Sequence, residues 1–538
     1  MIRQLLLLFV VSAFAYAEIT IEEITSKPTS RAKDFLIWQY LKQNITTKQA
    51  VAAYAMSTKK NRKLKNLYKK YNADPYIDYK EACRKNKNLF AIDDKKCFRL
   101  ALDPYKTLAM SKKERSRLAK KVESKKFIKL LKIQNEPYQV ESYRRYSADT
   151  ILKMFIYTTS SHRKKNLNIN LDKEFLNHLA TSGKIHYFIK MVTRNDTLEK
   201  LQKSLLLLDS PKLNRDDNFL LALHHLKFDD KEGAAKRLED SRLKSKKQLD
   251  LDKVDFWLYL ISKDTKYLDR LSLSESINMY TLYAHEKNDS SVKNYFYSLE
   301  TDNSKKSVDI QNPFKWNQLL LEIKKTPQDQ LLSLANKYEN ESMLPVQSYI
   351  IEKASAFKTH GYIMPYQEYL NDITSDDKAL IYAIMRQESN FIPAALSRSF
   401  ALGLMQMMPF LVDAMSKDMK LKTEYSDMFK PEVNIKYAIR HLEWMKKSLY
   451  HPLFMAYAYN GGMGFLRKHL KQGAFSIGAY EPFLSMELMS NSQSREYGKK
   501  VLANYVMYKK ILGEDVSIIH LFQTLKDPKK TDRFRARI

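Results

Sequence analysis

One segment of this chain ends in a carboxylic acid placed where it could donate a proton. Apolar residues recur on one helical face at Leu380 and Ile384, and the same spacing continues to Glu388. Burial against apolar surface and the C-terminal end of a helix dipole both disfavour a carboxylate anion. Such a group can act as a general acid near neutral pH. The alternative is a boundary glutamate that pairs with Arg386 or Arg398.

A polar residue interrupts the apolar stretch that follows the acid. Gly403 opens this stretch, Gln406 lies inside it and Pro409 ends it. Burying an amide without a hydrogen-bond partner is costly. We therefore expect Gln406 either to bind a ligand amide or to bond to backbone as a core glutamine. The neighbouring methionines are more typical of a packed core than of cofactor ligands.

A second glycine-marked segment ends another helical pattern. The apolar run 453–457 precedes Tyr459 and Asn460, and Gly461 and Gly462 follow them. Glycine commonly ends a helix. We therefore expect Tyr459 and Asn460 to lie at a turn, where a rigid frame often holds binding residues.

Glycine usage divides the 538-residue chain into two parts. Only Gly183 and Gly233 precede position 361, and all other glycines lie from Gly361 onward. A long segment with helical apolar spacing and almost no glycine predicts a stack of helices joined by short turns. We find no fixed repeat length and no convincing strand alternation. The predicted fold class is mainly all-α, with an irregular α-superhelical solenoid in the N-terminal part.

The predicted domains follow this division. A chain of this length exceeds one hydrophobic core, so several domains are expected. We assign a signal peptide at 1–17, an α-superhelical domain at 18–300, a helical linker domain at 301–371, a glycine-containing domain at 372–525 and a basic tail at 526–538. We expect the tail to be unstructured because it is rich in lysine and arginine.

The N-terminus predicts export from the cytoplasm. Arg3 supplies a positive start, 5–14 an apolar run and 15–17 a small-x-small cleavage site, as in secretory signal peptides. This run is too short to span a membrane as a mature helix, and no later run is long and apolar enough. We expect a periplasmic protein with no membrane span after cleavage. A retained membrane anchor is the alternative.

The predicted export bears on the oxidation state of the chain's only two cysteines. Cys83 and Cys97 flank a short polar stretch, and an oxidising compartment favours disulfides. We predict that they pair, with two buried unpaired thiols as the alternative. Two cysteines alone make no metal site, and the histidines show no convincing ligand spacing with a third partner. No metal is therefore expected.

The net charge of +31 indicates anionic partners. The basic residues are spread through the helical part rather than gathered in one arm, as at Lys59-Lys60 and 163–165. Nucleic acid is not an expected partner after export. An acidic polymer and a basic proteome background are the two explanations that the sequence leaves open.

Three short motifs, taken together, resemble a known family. They are Glu388-Ser389, the run 403–409 that reads Gly-Leu-Met-Gln-x-Met-Pro, and the run 458–462 that reads Ala-Tyr-Asn-x-Gly. Their order is similar to that of the linked motifs of the soluble lytic transglycosylases. Two further stretches match the family in the same order, namely 431–434 and the segment from Glu487 through 495–502.

The resemblance implies a fold and an activity. The family has a lysozyme-like catalytic domain, which would occupy 372–525. The signal peptide and long helical part resemble the large periplasmic members, in which an α-superhelical ring carries that domain. Such enzymes cleave the β-1,4 bond between N-acetylmuramic acid and N-acetylglucosamine in peptidoglycan without water and leave a 1,6-anhydro ring. The implied partner is the peptidoglycan glycan strand, and no cofactor is implied.

The resemblance also implies site residues. Glu388 would protonate the leaving oxygen and then act as base on the muramic 6-hydroxyl, while the substrate acetamide stabilises the developing cation. Most glycosidases use two carboxylates, but we find no second acid in a matching motif, and Asp413 and Asp418 are expected to be solvated. Gln406 would orient the acetamide, and Tyr459 would favour the oxocarbenium-like centre. The residues implied to line the glycan groove are Ser389, Ser397, Gln406, Met408, Tyr459, Asn460, Glu487 and Tyr497.

The chain departs from the family pattern at four positions. Phe400 stands where the family has glycine, and Ile392 where it has asparagine. Lys430 replaces an aspartate, and Gly461 a common alanine. We expect the bulky Phe400 to reshape the loop beside the acid. Two other functions stay open, a hydrolytic muramidase of the same fold and a non-catalytic peptidoglycan-binding scaffold.

Overall fold

A computed structural model of the chain describes residues 18–71 and 75–535, with no side-chain description for 75–78. The predicted signal peptide at 1–17 lies outside these residues. Nearly all regular structure in the described part is helical, so the all-α class predicted from the sequence is confirmed. The two short strands Tyr295–Phe296 and His360–Gly361 pair in parallel. Within 18–71 and 75–535, no helix is both long and apolar enough to cross a bilayer.

The described chain forms two compact units, each built from three segments. The first unit comprises 18–71, 294–463 and 500–516. The second unit comprises 75–293, 464–499 and 517–535. The predicted domain at 372–525 therefore contributes residues to both units.

The first unit holds the two strands and a set of short to medium helices. Its α-helices are Ile21–Ser26, Arg31–Tyr40, Thr47–Ala55, Arg62–Tyr68, Pro313–Lys325, Leu331–Lys337, Leu344–Ala354, Ser375–Ser389, Pro409–Met419, Pro431–Lys446, Pro452–Gly461 and residues 500–511 of the helix Ser492–Ile511. Its 3-10 turns are Lys69–Tyr71, Gln328–Gln330, Glu341–Met343, Gln367–Tyr369 and Tyr425–Phe429.

The second unit is built from successive helices. Its α-helices are Pro75–Lys85, Lys95–Ala101, Pro104–Leu108, Lys112–Lys121, Lys125–Ile133, Val140–Tyr143, Ala148–Ile156, Ser160–His162, Lys173–Leu179, Ile185–Thr193, Glu199–Leu205, Arg215–Lys227, Lys231–Leu243, Gln248–Ser262, Lys266–Ser272, Met279–Lys287, Met463–Lys471 from Gly464 onward, Phe483–Leu488, residues 492–499 of Ser492–Ile511, Ile518–Thr524 and Pro528–Thr531. A 3-10 turn at Leu89–Ala91 and a π-helix at Arg163–Leu167 complete it.

Capping residues in the local sequence start many of these helices. The hydroxyl of Thr46 accepts the Gln49 amide N–H at 3.3 Å, and the Gln49 side-chain oxygen accepts the Thr46 N–H at 2.8 Å. Ser111 and Glu114 form the same reciprocal arrangement in the second unit. Each pair satisfies two backbone donors that a helix start leaves without partners.

Apolar faces then pack the helices together. In the second unit, neighbours in sequence from Arg215–Lys227 to Met279–Lys287 pack against one another in turn. Earlier in the same unit, Phe155 and Phe188 meet edge to face with ring centroids 5.3 Å apart inside an apolar cluster. Because each helix contacts its sequence neighbours, this packing is the helix stacking predicted from the sequence.

A disulfide joins Cys83 and Cys97 within the second unit. The two cysteines are 14 positions apart, and Cys83 is buried. Closing a loop of this length stabilises the folded state by about 3 kcal/mol on the chain-entropy model. We expect Cys83→Ala/Cys97→Ala to lower the free energy of unfolding by about that amount, measured by urea denaturation. A reducing agent should lower the stability of the parent protein only, and an equal loss in the variant would contradict this account.

The structure of the basic tail contradicts the expectation that it is unstructured. Pro528–Thr531 is helical, and the carboxylate of Asp532 is buried and accepts the Arg535 Nε–H at 2.9 Å. The Arg535 guanidinium also donates to the carbonyl of Phe475 at 2.8 Å. These bonds order the tail as far as Arg535, because they neutralise its charge and satisfy a buried carboxylate. Composition alone did not reveal these partners.

Candidate active site

The helix Ser375–Ser389 carries Glu388 in its last turn. Its N-cap is Thr374, whose hydroxyl accepts the Asp377 N–H at 3.2 Å, so the cap lies one residue before the predicted Ser375. Residues 379–385 are all buried, so the helix is buried on every side there and not only on the face that the apolar spacing predicted. Glu388 is half-buried, and Asn390 ends the helix with a left-handed backbone at φ 48°. The acid is therefore held at the edge of the core, where the chain leaves the helix.

Neighbouring side chains fix this helix end within the first unit. The Arg386 guanidinium forms an ion pair with Glu352 at 2.5 Å and donates to the Gly361 carbonyl at 2.8 Å. Asn504 donates to the Ala383 carbonyl at 3.2 Å. Ser389 donates its hydroxyl to the Met385 carbonyl one turn earlier, at 3.1 Å. Arg386 is thus committed to Glu352, and the backbone before Glu388 is anchored from two sides.

Tyr459 is the aromatic residue whose ionisation responds to Glu388. The helix Pro452–Gly461 includes both Tyr459 and Asn460 in its last turn, so they lie one turn earlier than the predicted loop position. Burial and the negative charge of Glu388 raise the pKa of Tyr459 well above its usual value. Tyr459 therefore stays protonated, and its hydroxyl donates to the Met405 carbonyl at 2.6 Å. Gly462 ends the helix at φ 86°, as predicted.

The segment 395–408 folds into a compact double turn between the acid and Tyr459 in sequence. Leu402 and Met407 exchange backbone hydrogen bonds of 2.9 Å in both directions. The Ser397 hydroxyl accepts the N–H groups of Ser399 and Ala401 at 3.2 and 2.9 Å. Met408 is half-buried and precedes the helix Pro409–Met419. Ser397 therefore shapes the turn with its hydroxyl.

Gln406 is bonded to backbone through one half of its amide. Its Nε2 donates to the carbonyls of Ala395 and Gly403 at 3.0 and 2.9 Å. This matches the core-glutamine interpretation for the nitrogen. Among the described residues, no hydrogen bond to the Gln406 side-chain oxygen occurs, and the side chain is half-buried. The oxygen keeps its capacity to accept a bond from a ligand amide.

The Asn434 side chain holds the 395–408 segment in place, although the sequence patterns did not single it out as a site residue. Its side chain is fully buried and accepts the Met405 N–H at 2.9 Å. It donates to the carbonyls of Leu402 and Met428 at 3.0 and 2.8 Å. Asn434 is the last residue of the fourth matching motif, 431–434, and this match is the sequence signal that could have identified it. Its three bonds explain why this position requires an amide.

Gly403 leaves no room for a side chain at the same point. Its φ is +74°, and a Cβ built there would lie 2.0 Å from the Met428 carbonyl oxygen and 2.2 Å from the Asn434 amide nitrogen. We expect Gly403→Ala to cost about 2–5 kcal/mol of unfolding free energy, from backbone strain and overpacking together. Gly513→Ala is the matched control, with φ +81° but open space around its Cβ. Urea denaturation of both variants checks this, and equal losses would show that packing at Gly403 does not matter.

Phe400, the bulky residue in a family glycine position, adopts the backbone that glycine favours. Its φ is +60° and its ring is buried. The ring lies 5.4 Å from that of Phe35 and 5.7 Å from that of Trp38, both on the helix Arg31–Tyr40. Arg31 donates to the Leu396 carbonyl at 2.9 Å, and Asn61 to the Arg398 carbonyl at 3.0 Å. The N-terminal segment therefore holds this loop and compensates for the strained backbone.

Ile392, the second bulky departure, is explained in a similar way. It is buried in an apolar cluster with residues of the helices Pro313–Lys325 and Leu344–Ala354. The Ala394 N–H donates to the Ile310 carbonyl at 3.0 Å. Segments outside the motif region thus pack on both sides of the loop that follows Glu388.

Glu487 and Tyr497 belong to the second unit. Glu487 is buried in the helix Phe483–Leu488 and pairs with Lys499 at 3.0 Å. It also accepts the Tyr280 hydroxyl at 2.5 Å. Tyr497 is buried in the helix Ser492–Ile511. Their assignment to a glycan groove stays a prediction.

His441 lies beside Tyr459, and Trp444 lies beside His441; neither was singled out by the sequence. His441 stands 5.7 Å from the Tyr459 ring, and Trp444 stacks on His441 at 5.7 Å with planes 12° apart. Burial lowers the pKa of His441 to about 4, so its imidazole is neutral near pH 7. Trp444 keeps 48% of its surface exposed. His441 and Trp444 are three residues apart on one helix, and this spacing is the sequence signal that could have identified them as neighbours.

The two acids nearest in sequence after the loop are engaged elsewhere. Asp413 accepts the Tyr425 hydroxyl at 2.8 Å, and Asp418 pairs with Arg440 at 2.7 Å. Asp418 and its partner are both largely exposed. Both carboxylates are therefore engaged with other side chains.

Comparison with known proteins relates this site to a family. The Transglycosylase SLT domain model matches residues 366–478. The chain is 28% identical to the soluble lytic murein transglycosylase of Escherichia coli over 212 residues, or 38% of this chain and 32% of the relative. It is 36% identical over 118 residues to the membrane-bound lytic murein transglycosylase C of Pectobacterium atrosepticum, or 20% of this chain and 33% of the relative. The chain thus spans about a third of the length of these curated relatives.

The fold is shared with a solved structure. The 70 kDa soluble lytic transglycosylase of Escherichia coli aligns with 94% of this chain and 84% of its own, with a TM-score of 0.50 and 17% identity. At this identity the likeness shows a common fold, which is the predicted superhelical and lysozyme-like class. The matched domain contains Glu388, Gln406 and Tyr459. Residues 366–478 of the chain are thus similar to the SLT domain of the lytic transglycosylases.

Proposed function

We propose that this protein is a peptidoglycan lytic transglycosylase. It cleaves the β-1,4 bond between N-acetylmuramic acid and N-acetylglucosamine and leaves 1,6-anhydro-N-acetylmuramic acid ends. The observation that carries the proposal is the position of the half-buried Glu388 in the last turn of its helix, within the segment that matches the SLT domain. The half-buried Tyr459 lies in the same segment, and its pKa is raised by burial and by the negative charge of Glu388. A half-buried acid beside a protonated tyrosine suits general-acid chemistry. The similarity of residues 366–478 to the Transglycosylase SLT domain supports the same reaction.

In the first step, Glu388 gives its proton to the glycosidic oxygen as the bond to the muramic C1 breaks. The substrate's own acetamide oxygen stabilises the positive charge that develops at C1. Gln406 orients that acetamide, since its side-chain oxygen can accept the acetamide N–H while its nitrogen is held by two carbonyls. Tyr459 adds a polarised hydroxyl and ring near the same centre.

In the second step, the Glu388 carboxylate takes the proton of the muramic 6-hydroxyl. The 6-oxygen then bonds to C1 and closes the anhydro ring, so one residue serves as acid and as base. Two-carboxylate glycosidases need a second acid across the bond. The commitments of Asp413 to Tyr425 and Asp418 to Arg440 support a single-acid mechanism.

We propose that this reaction takes place in the periplasm on glycan strands. The sequence-predicted signal peptide and the predicted disulfide support an exported protein, because disulfides persist in oxidising compartments. Peptidoglycan is anionic, and the net charge of +31 favours its approach.

The end group of the product tests the proposal. Purified peptidoglycan is digested with the protein, and the released muropeptides are identified by mass spectrometry. Anhydro ends are the expected result. Reducing ends would show that water reaches the intermediate and that the protein is a hydrolytic muramidase, and an absence of release would favour a binding scaffold.

A further inference from the structure

We propose that a cavity within the second unit binds a small molecule that carries two or more carboxylate or phosphate groups. We call it the basic cavity, and its lining includes the basic residues Lys190, Arg194, Arg215, Lys253 and Arg495 and the acids Asp216, Asp250, Glu487 and Glu496. Its volume is about 410 Å³, within the range of small-molecule sites. This inference does not depend on the proposed reaction.

Some of the cations around the basic cavity are neutralised by neighbouring acids. Arg215 forms ion pairs with Asp216 at 2.8 Å and with Asp250. Arg495 pairs with Glu496 at 2.8 Å. Nearby, the buried Lys499 pairs with Glu487 and Glu496, each at 3.0 Å. These acids are therefore already occupied by other cations.

Three cations of the basic cavity lack such a partner. Within the described chain, no carboxylate lies within ion-pair distance of Lys190, Arg194 or Lys253. The Arg194 guanidinium makes one long bond of 3.4 Å to the Ser490 carbonyl, and its Nε and Nη2 are buried without an acceptor. Lys253 places its ammonium 4.2 Å above the Phe219 ring. Buried donors and charges without partners are costly, so these groups favour an anion.

Electrostatics support the same conclusion. Burial lowers the pKa of Lys190, and the positive charges of Arg194 and Arg495 lower it further. Burial and Arg495 lower the pKa of Arg194 to about 10. Burial is also the main cause of the lowered pKa of Lys253, while the negative charge of Glu487 partly offsets it and Lys499 adds repulsion. A bound anion would relieve both the repulsion and the desolvation.

The arrangement selects the chemical class of the ligand. An arginine guanidinium matches the planar fork of carboxylate or phosphate, and two lysines add point charges. Three separate cations are best met by a ligand with more than one anionic group. The limited volume favours a small molecule over a polymer segment.

Binding of two probes tests the basic cavity. Isothermal titration calorimetry is run with pyrophosphate and with citrate on the parent protein and on Lys190→Gln/Lys253→Gln. We expect at least one probe to bind the parent, and its Kd to rise at least about tenfold in the variant, because two charge-assisted contacts are lost. Pyrophosphate binding alone would indicate a phosphate ligand, and citrate binding would indicate a carboxylate ligand.

The control separates a built site from the general positive charge. Lys236→Gln/Lys266→Gln also removes two lysines from the second unit, but both are exposed and paired with Asp209 and Asp264. Its Kd should stay that of the parent. Equal weakening in both double variants, or no binding to the parent, would overturn the proposal.

Thermal unfolding in the absence of an anion gives a second test, because a structural role and an anion-binding role of the two lysines predict different changes in Tm. If Lys190 and Lys253 only supported the fold, their loss would lower the Tm. Because burial disfavours the charge of both lysines and neither forms an ion pair, we expect the Tm of Lys190→Gln/Lys253→Gln to match or exceed that of the parent. A clearly lower Tm would show that the two lysines are structural and would contradict the anion site.

Discussion

Glu388→Gln will abolish release of anhydro-muropeptides while leaving the fold intact. Glutamine keeps the size and hydrogen-bonding shape of the side chain but can neither donate the first proton nor accept the second. General acid–base catalysis contributes about 10²–10⁴-fold to a rate, and here one residue serves both steps. We therefore expect a loss of at least about 10³-fold in product formation, measured by chromatography and mass spectrometry.

The control for this substitution is another glutamate of the same unit. Glu432 is exposed in the first turn of the helix Pro431–Lys446, so Glu432→Gln removes a carboxylate away from the core. It should retain parental activity, and both variants should unfold at the parental Tm. Substantial activity in Glu388→Gln, with its fold retained, would assign the proton transfers to another residue.

Trp38→Ala will destabilise the first unit and impair catalysis from outside the family motifs. Trp38 is only 8% exposed and packs against Phe35 and Phe400. Truncation of a buried aromatic residue costs about 3–5 kcal/mol of unfolding free energy. The loss also removes the packing that holds Phe400 in its left-handed backbone, so the loop that positions Gln406 loosens. Urea denaturation and product release measure the two effects separately.

A double variant tests the link between Trp38 and the loop. Phe400→Gly removes the ring and gives the backbone a residue that accepts φ +60° without strain. In the parent this change should cost stability, since the Phe400 packing is lost. In the Trp38→Ala background it should cost much less and recover part of the activity, because the two residues are in contact. Simple additivity of both effects would show that Trp38 does not act through Phe400.

Local patterns predicted the elements of the site well. Apolar spacing predicted the helix that leads to Glu388, because a helix brings every third or fourth residue to one side, although residues 379–385 are buried on all sides and not on one face only. The glycine after Asn460 predicted a helix stop, which Gly462 makes. The position of Tyr459 and Asn460 was wrong by about one turn, because the helix continues to Gly461 before it ends.

Local patterns could not predict contacts between residues that are distant in sequence. Gln406 left two interpretations open, and only the loop geometry showed its nitrogen bonded to the carbonyls of Ala395 and Gly403. Phe400 was expected to reshape the loop, but nothing in the local sequence indicated that Phe35 and Trp38 would cover it. The tail was expected to be unstructured from its lysine and arginine content, and one of the groups that hold it, the Phe475 carbonyl, lies elsewhere in the chain.

The sequence by itself determined the helical class and the order of the motifs and predicted Glu388 as the acid, since these depend on residue type and short spacing. Only the tertiary structure decided which groups surround the acid. The coupling of Glu388 to Tyr459, the anchoring of the loop by Asn434 and the ion pair of Arg386 with Glu352 depend on segments far apart in sequence. Such contacts form when buried polar groups must find partners as the core closes, and no short sequence window specifies them.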